Sequence, residues 1–327
     1  MFTQSLLPAS VLLALATQVA SHSIVTGLYV NGVDKSDFKN WWQGSSYMRV
    51  PPTNDPIKDM TSPYMACGNT KKVDGVLTVK AGDTLEAQWW HDTTIAGKDP
   101  LATSHSGPMT AMISPLSWNG QGSGWVQIAS EGYYHNEGKW ATNRMIENGG
   151  KQKAVIPKSL APGEYLVRFD FIALHMGGDV WSPGREGGAQ YYPRWWAISS
   201  FLSFLSVRAD FPLSVQPDSA QIKVTGNGNV KLPSGVAIPG LYTKDTPGVV
   251  QDIFSNPGKA GKNYIVPGTG NWDGSAHYSK SICHEAVSGF AAPGFCQGGS
   301  KKRSEIAESP SRVSSTGHRR HHGHGDN

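Results

Sequence analysis

Short apolar segments separated by turns constrain the fold of this chain more than any other feature. Residues 164–171 alternate in the way that suits a strand with one buried face, and residues 23–25, 28–32 and 75–79 are further short segments bounded by turns. The chain has 38 glycines and 21 prolines, and only 17% of its residues are charged. This composition predicts an all-β fold, and the many short strands predict a β-sandwich. The one helical signal, at residues 140–146, predicts a short helix or turn.

The N-terminal segment, residues 1–21, predicts a secretory signal. Its apolar stretch, residues 6–15, is too short to span a bilayer, and the segment ends in small residues. Cleavage after Ser21 makes His22 the first residue of a secreted, extracellular protein. A terminal histidine offers an amine and an imidazole on one residue, and the two can chelate one metal ion. This property matters only where a second histidine completes the site.

The remainder of the chain divides into a domain at residues 22–272 and an extension at residues 273–327. From about residue 300 the extension is rich in Lys, Arg, Ser and Glu with almost no apolar side chains, so we expect it to be largely disordered. Within it, Cys283 and Cys296 lie close enough in sequence to close a small loop together. No later apolar run reaches spanning length, and the net charge of +4 forms no basic stripe. These features exclude a membrane span and a nucleic-acid partner.

Three separate segments hold the polar side chains of the candidate site. His105 lies in a Thr-Ser-His-Ser-Gly-Pro segment, His175 follows a predicted strand, and Gln190 and Tyr192 belong to Gln-Tyr-Tyr-Pro. Each residue alone has an ordinary structural explanation, such as a loop histidine held by hydrogen bonds, a surface amide or a core aromatic. Imidazole and amine nitrogens together suit copper.

The order and spacing of these segments resemble auxiliary activity family 9, the fungal copper-dependent lytic polysaccharide monooxygenases that cleave cellulose oxidatively. The resemblance covers residues 22–272 and implies an immunoglobulin-like or fibronectin type III-like β-sandwich with long loops. It also rests on motifs that are individually weak: Met-Ala-Cys-Gly at 65–68, Ala-Gly-Asp at 81–83, Ile-Pro at 156–157, Pro-Gly-Glu-Tyr-Leu at 162–166 and Ile-Pro-Gly-Leu-Tyr at 238–242.

The resemblance implies a site that holds one copper ion. His22 would bind copper through its amine and one ring nitrogen, His105 would add a third nitrogen, and Tyr192 would be the axial oxygen. His175 and Gln190 would hydrogen-bond the oxygen species and steer its reduction, because groups around a metal's ligands tune its chemistry strongly.

The implied reaction is oxidative cleavage of glycosidic bonds in cellulose or a related β-linked polysaccharide, performed by a monomer. It uses oxygen or hydrogen peroxide together with an external electron donor. The alternative is a non-catalytic β-sandwich that binds copper or polysaccharide. His175 and Gln190 favour the enzyme, since copper binding alone does not need them.

Aromatic side chains are the candidates for substrate contact, because sugar rings stack on them. Tyr264 matches the position of a surface tyrosine in many relatives, and Trp41, Trp42 and Tyr47 follow the first predicted strands. For all four, a partly buried packing role is the alternative.

The strand that carries Tyr192 breaks the family pattern. The resemblance implies a cysteine two residues after Pro193 that pairs with Cys67. This sequence has Trp195 there, and a strand of the family type resumes only at residues 220–224. Extra residues normally enter surface loops rather than strands.

A retained intron explains this insertion at residues 195–219. Tryptophan has only the codon TGG, so Trp195 and the tryptophan after it supply a GT donor, and Ser219 can supply an AG acceptor. Splicing there leaves a cysteine codon, which restores the strand and its disulfide with Cys67. The competing interpretation is a genuine loop, in which case the family disulfide does not form.

Overall fold

The structure, a computed structural model, describes residues 23–38, 45–49, 56–67, 72–91, 100–178, 188–192, 219–254 and 264–275. Several predictions concern residues outside these ranges: the signal segment 1–21, His22, Trp41, Trp42, residues 195–218, Cys283, Cys296 and the disordered tail. The strands within the ranges are β1 (Ser23–Val30), β2 (Val33–Asp34), β3 (Met48–Arg49), β4 (Leu77–Lys80), β5 (Thr84–His91), β6 (Met109–Pro115), β7 (Val126–Glu131), β8 (Tyr133–Tyr134), β9 (Lys139–Trp140), β10 (Lys151–Val155), β11 (Gly163–Ala173), β12 (Gln190–Tyr192) and β13 (Ser219–Thr225).

Two sheets pack face to face as a β-sandwich, which confirms the predicted fold class. The first sheet has the strand order β10-β5-β1-β2. The second has the order β3-β13-β11-β6-β7, with β12 also paired to β11 and β4 parallel to β13. A small hairpin joins β8 and β9, and α1 (Ala141–Glu147) confirms the predicted short helix. No helix of the described ranges is long and apolar enough to cross a membrane.

The core between the sheets follows from the alternation of strand side chains. Val167, Phe169 and Phe171 of β11 point to one face and are at most 4% exposed. They meet apolar side chains of the first sheet, among which the Trp89 ring contacts the Phe171 ring edge-on with centroids 5.1 Å apart. This contact fixes β11 against β5.

The other face of β11 is covered by loops rather than by solvent. Leu166, Ile172 and Leu174 on that face are at most 1% exposed and belong to a second apolar cluster. Loop residues, including Cys67 and Tyr242, complete this cluster. Burial on both faces makes β11 the central strand of the fold, and the candidate site lies at its C-terminal end.

Candidate metal centre

Ser23, at the start of β1, contacts the segment that leads to His105. Ser23 is fully buried, and its hydroxyl donates to the carbonyl oxygen of Pro100, 2.9 Å away. Its ladder partner is His91 at the end of β5. The residue before Ser23 is His22, so this hydrogen bond ties the chain beside His22 to the His105 segment.

The turn around His105 is held against β11 by backbone hydrogen bonds. The Leu174 amide donates to the Ser106 carbonyl oxygen (2.9 Å), and the Ile172 amide donates to that of Pro108 (3.0 Å). Gly107 lies so close to β11 that a Cβ there would be 1.8 Å from the carbonyl oxygen of Ile172. Only glycine permits this approach, which explains its position two residues after His105.

His105 and His175 lie side by side at this end of β11. His105 is 5% exposed, and its Nδ1 is 3.1 Å from the Ser104 hydroxyl. The two imidazole rings have centroids 4.1 Å apart and planes inclined by 37°. The Nδ1 atom of His175 is buried and has no hydrogen-bond partner among the described residues. A buried nitrogen without a hydrogen-bond partner in the protein is suited to bind a ligand that is not part of the chain.

Electrostatics keep the His175 imidazole neutral. Burial lowers the pKa of His175, and the positive charge of Lys58 lowers this pKa further. The sequence did not reveal Lys58, because its position depends on a bridge between Ile57 and Tyr191. In that bridge each amide donates to the other residue's carbonyl oxygen at 2.9 and 3.0 Å. A neutral imidazole can both donate and accept a hydrogen bond.

β12 brings the last two candidate positions to the same end of β11. Gln190 is opposite Ala173, and Tyr192 is opposite Phe171. Directly opposite residues of an antiparallel pair share a face, so both positions lie on the inter-sheet side. Tyr191 between them faces the loops and is 2% exposed. The three-residue length of β12 explains why alternation in the sequence did not reveal it.

The residues present fit a copper ion with mixed nitrogen and oxygen ligands. A buried imidazole and a second imidazole with an unpartnered nitrogen lie side by side at the end of β11 to which β12 pairs. Within the described ranges, no three His, Cys, Asp or Glu side chains form a metal-binding group.

Comparison with known proteins identifies the family. The family model described as Auxiliary Activity family 9 (formerly GH61) matches residues 22–198. AA9 family lytic polysaccharide monooxygenase C of Aspergillus fumigatus is 36% identical over 284 residues, which cover 86% of this chain and 70% of the relative. The chain belongs to auxiliary activity family 9. Members of the family are copper-dependent monooxygenases, so copper is the cofactor.

Other relatives and solved structures agree with this assignment. AA9 family lytic polysaccharide monooxygenase A of Aspergillus tamarii is 36% identical over 266 residues, 81% of this chain. The chain spans 61% of that relative's length. The solved structure named CvAA9A is 28% identical with a TM-score of 0.63, over 77% of this chain and 99% of that one. A cellulose-active polysaccharide monooxygenase from M. thermophila shares the fold, with 24% identity and a TM-score of 0.54 over 76% of this chain and 97% of that one.

Of the two alternatives for Tyr264, contact with the substrate and a packing role, the structure favours packing. Tyr264 is 4% exposed, its hydroxyl donates to the Gly248 carbonyl oxygen (2.9 Å), and its ring meets Trp140 edge-on at 4.7 Å. The ring face is therefore not available to a sugar. Tyr47 is likewise 4% exposed, and its hydroxyl donates to the Lys35 carbonyl oxygen (2.7 Å). For both tyrosines the packing alternative is the one observed.

The sequence did not reveal two exposed apolar side chains, one next to His175 in the chain and one on a loop joined to the His175 loop. Met176 is 39% exposed and Phe254 is 64% exposed. Their loops are joined because the Gln251 amide donates to the Gly177 carbonyl oxygen (2.7 Å). The contact joins residues far apart in the chain, so no local pattern could have revealed it.

Proposed function

We propose that this chain is a secreted copper-dependent lytic polysaccharide monooxygenase. Its domain, residues 22–272, oxidises a glycosidic carbon of cellulose or a related β-linked polysaccharide. It acts as a monomer with oxygen or hydrogen peroxide and an external electron donor. The observation that supports this best is the pair of imidazole rings of His105 and His175 at the end of β11. A single structural histidine needs no such neighbour.

The proposed ligands are His22, through its amine and one ring nitrogen, His105, through one ring nitrogen, and the Tyr192 oxygen. Copper at this position supplies one-electron redox chemistry with oxygen species. The chain's own residues hold the geometry: Ser23 fixes the chain beside His22, and Gly107 lets the His105 turn approach β11.

His175 and Gln190 are proposed to manage oxygen and protons beside the metal. His175 offers a neutral imidazole with a buried, unpartnered Nδ1. Gln190, part-exposed and opposite Ala173, offers an amide that donates and accepts hydrogen bonds at once. Such groups position an oxygen species and hold or deliver a proton to it.

Met176 and Phe254 are proposed to contact the substrate. Both are exposed and lie on joined loops next to His175, which is where a polysaccharide must lie to be oxidised. An aromatic ring such as that of Phe254 packs well against the apolar face of a sugar.

The test of this function is incubation of the processed protein with copper, ascorbate and amorphous cellulose. Oxidised oligosaccharides, detected by mass spectrometry, are the expected product. His175→Ala serves as the matched variant, because it keeps the proposed ligands. We expect it to retain copper binding, measured by calorimetry, and to lose most product formation. A wild-type protein that binds copper yet yields no oxidised sugars on cellulose or other β-glucans would contradict the proposal.

The mature N-terminus is tested separately. N-terminal sequencing of the secreted protein is expected to begin at His22. A mature chain that begins at any other residue cannot offer the amine and imidazole together, and would overturn the proposed ligand set.

A further inference from the structure

β12 and β13 lie end to end along one edge of β11. Both run antiparallel to β11: Tyr192 of β12 is opposite Phe171, and Ser219 of β13 is opposite Arg168. Only two residues of β11 lie between these two pairs. An uninterrupted strand would therefore need two residues after Tyr192 before the position opposite Arg168.

The register shows how many residues between β12 and β13 exceed the number that one continuous strand would need. The two residues that follow Tyr192 would fill the gap, and residue 195 would then stand opposite Arg168. Ser219 stands there instead. Residues 195–218, which number 24 (219 − 195), have no ladder position to fill between these strands.

The alternation of faces also runs unbroken from β12 to β13. Tyr192 shares the inter-sheet face of Phe171, whereas Ser219 shares the opposite face with Arg168. Three ladder steps separate the two positions, and an odd number of steps puts them on opposite faces as observed. Ala220 accordingly joins the inter-sheet core. β13 therefore continues β12 both in its pairing with β11 and in the alternation of side chains between the two faces.

Ser219 lies in a buried position that does not satisfy the hydrogen bonding of its hydroxyl. Ser219 is 2% exposed, and its Oγ has no hydrogen-bond partner among the described residues. An unsatisfied buried hydroxyl is unfavourable. Arg49 of β3 is its ladder partner on the other side, so the two side chains share a face. Cys67 is 1% exposed and belongs to the apolar cluster on that face.

Arg49, Ser219 and Cys67 are all buried. Their exposed fractions are 0%, 2% and 1%. Arg49 is directly opposite Ser219 in the ladder, and Cys67 belongs to the apolar cluster on the same face of the sheet. The electrostatic influence of Cys67 on Arg49 agrees with this arrangement.

We propose that β12 and β13 are one strand, that residues 195–218 are an insertion between neighbouring ladder positions, and that the side chain at position 219 adjoins Cys67. The inference uses the sheet register and the burial of Ser219 and Cys67, and it does not rest on the proposed activity. Its proposed source is a retained intron of 72 nucleotides (24 × 3), with its donor in the Trp195 codon and its acceptor in the Ser219 codon.

Deletion variants of the full secreted chain test the register. Removal of residues 195–218 joins Arg194 to Ser219, and we expect a melting temperature equal to or above that of the parent. Removal of residues 195–217 is the matched control, because one extra residue turns every side chain of β13 to the other face. We expect that control to melt at a lower temperature or to fail to fold. Equal destabilisation by both deletions would overturn the proposal.

A cross-link tests the position of residue 219. In the chain without residues 195–218, Ser219→Cys is oxidised with glutathione disulfide. The thiols of Cys67 and position 219 lose two protons and two electrons to form one S–S bond, and glutathione disulfide becomes two glutathione thiols. Non-reducing peptide mapping is expected to find the linked peptides. Ala220→Cys is the control, because it faces the other core and should give no link to Cys67. A folded Ser219→Cys protein without the link contradicts the proposed position.

Sequencing of transcripts tests the source of the insertion. Messages that lack the 72 nucleotides (24 codons) and encode cysteine at the junction are expected to predominate. A predominance of messages that retain these codons would overturn the intron, while the deletion variants still decide the strand geometry.

Discussion

Gly107 sets how closely the His105 turn can approach the central strand. A Cβ at this position would lie 1.8 Å from the carbonyl oxygen of Ile172, and backbone atoms cannot move aside cheaply. We expect Gly107→Ala to destabilise the fold by about 1–3 kcal/mol, the usual cost of overpacking. It should also weaken copper binding, because His105 moves with the turn. Urea unfolding and calorimetric titration with copper measure the two effects.

Gly178→Ala is the matched control for this prediction. A Cβ at Gly178 would make only ordinary contacts, the nearest at 3.5 Å to Asp252. Its unfolding free energy should stay within about 0.5 kcal/mol of the wild type. Equal losses in the two alanine variants would show that close approach to β11 is not the reason for glycine at 107.

The buried ion pair of β11 makes a second prediction at the scale of residues. Arg168 and Asp170 are 1% and 2% exposed with a 2.6 Å contact between nitrogen and oxygen, and the Thr110 hydroxyl also donates to Asp170. Arg168→Met leaves a buried carboxyl without its counter-ion, and we expect a loss of about 3–5 kcal/mol in urea unfolding at neutral pH. The double variant Arg168→Met with Asp170→Leu should recover most of this loss. A single variant that is no worse than the double variant would contradict this account.

The pH dependence of the Arg168→Met variant follows from the same pair. Burial raises the pKa of Asp170, while Arg168 lowers it. With Arg168 present the folded-state pKa of Asp170 already lies above the unfolded one, and without Arg168 it rises further. The variant therefore loses more stability than the wild type as pH rises through this range. Its deficit relative to the wild type should therefore shrink in acid. A deficit that grows as pH falls would show that the ion pair is not its cause.

Single residues differ in how far the sequence could predict them. His105 and His175 were predicted from the family resemblance, and the structure brings their rings together. The sequence left the burial of Tyr264 open, because a tyrosine in a loop has no period from which burial can be deduced. Lys58 was missed because its effect on His175 depends on a bridge between segments distant in sequence.

At the scale of elements, two joined loops rather than a strand offer the exposed apolar surface beside His175. Phe254 is the most exposed large apolar side chain of the described ranges, at 64%. We expect Phe254→Ala to weaken binding to amorphous cellulose about threefold to tenfold, as loss of one aromatic contact does. Depletion isotherms without reductant measure this binding apart from catalysis.

Val33→Ala provides the control for the loop surface. Val33 is 55% exposed, but it pairs with Val30 at the end of β1 opposite to Ser23. Its loss should leave cellulose binding unchanged. If Val33→Ala weakens binding as much as Phe254→Ala does, the surface beside His175 is not the substrate face.

The sequence predicts a strand where the segment is long and its apolar and polar residues alternate. It does not predict a strand that is defined mainly by tertiary contacts. Residues 164–171 indicated β11, and the resumption at residues 220–224 indicated β13. The three residues of β12 are too few to show a period. The order of strands in the sheets could not be predicted from the sequence either, because neighbouring strands such as β4 and β13 are distant in the chain.

At the scale of the whole molecule, a metal at the proposed site would add a link between the two sheets. The start of β1 belongs to the first sheet, whereas the His105 turn packs on β11 of the second. A ligand that binds only the folded state stabilises it in proportion to the logarithm of its concentration over its Kd. Copper should therefore raise the melting temperature of the processed protein, and a chelator should reverse the change.

One added residue before His22 is the decisive comparison for this effect. An alanine there converts the terminal amine into an amide, which removes one proposed nitrogen ligand and leaves every side chain in place. At a hundredfold excess of copper over its Kd, the processed protein should gain about 2.7 kcal/mol. The extended chain should gain little at the same concentration. Differential scanning fluorimetry compares the two proteins with and without copper. Equal shifts would show that copper binds elsewhere, for example at the histidines near the end of the chain, and that the terminal amine is not a ligand.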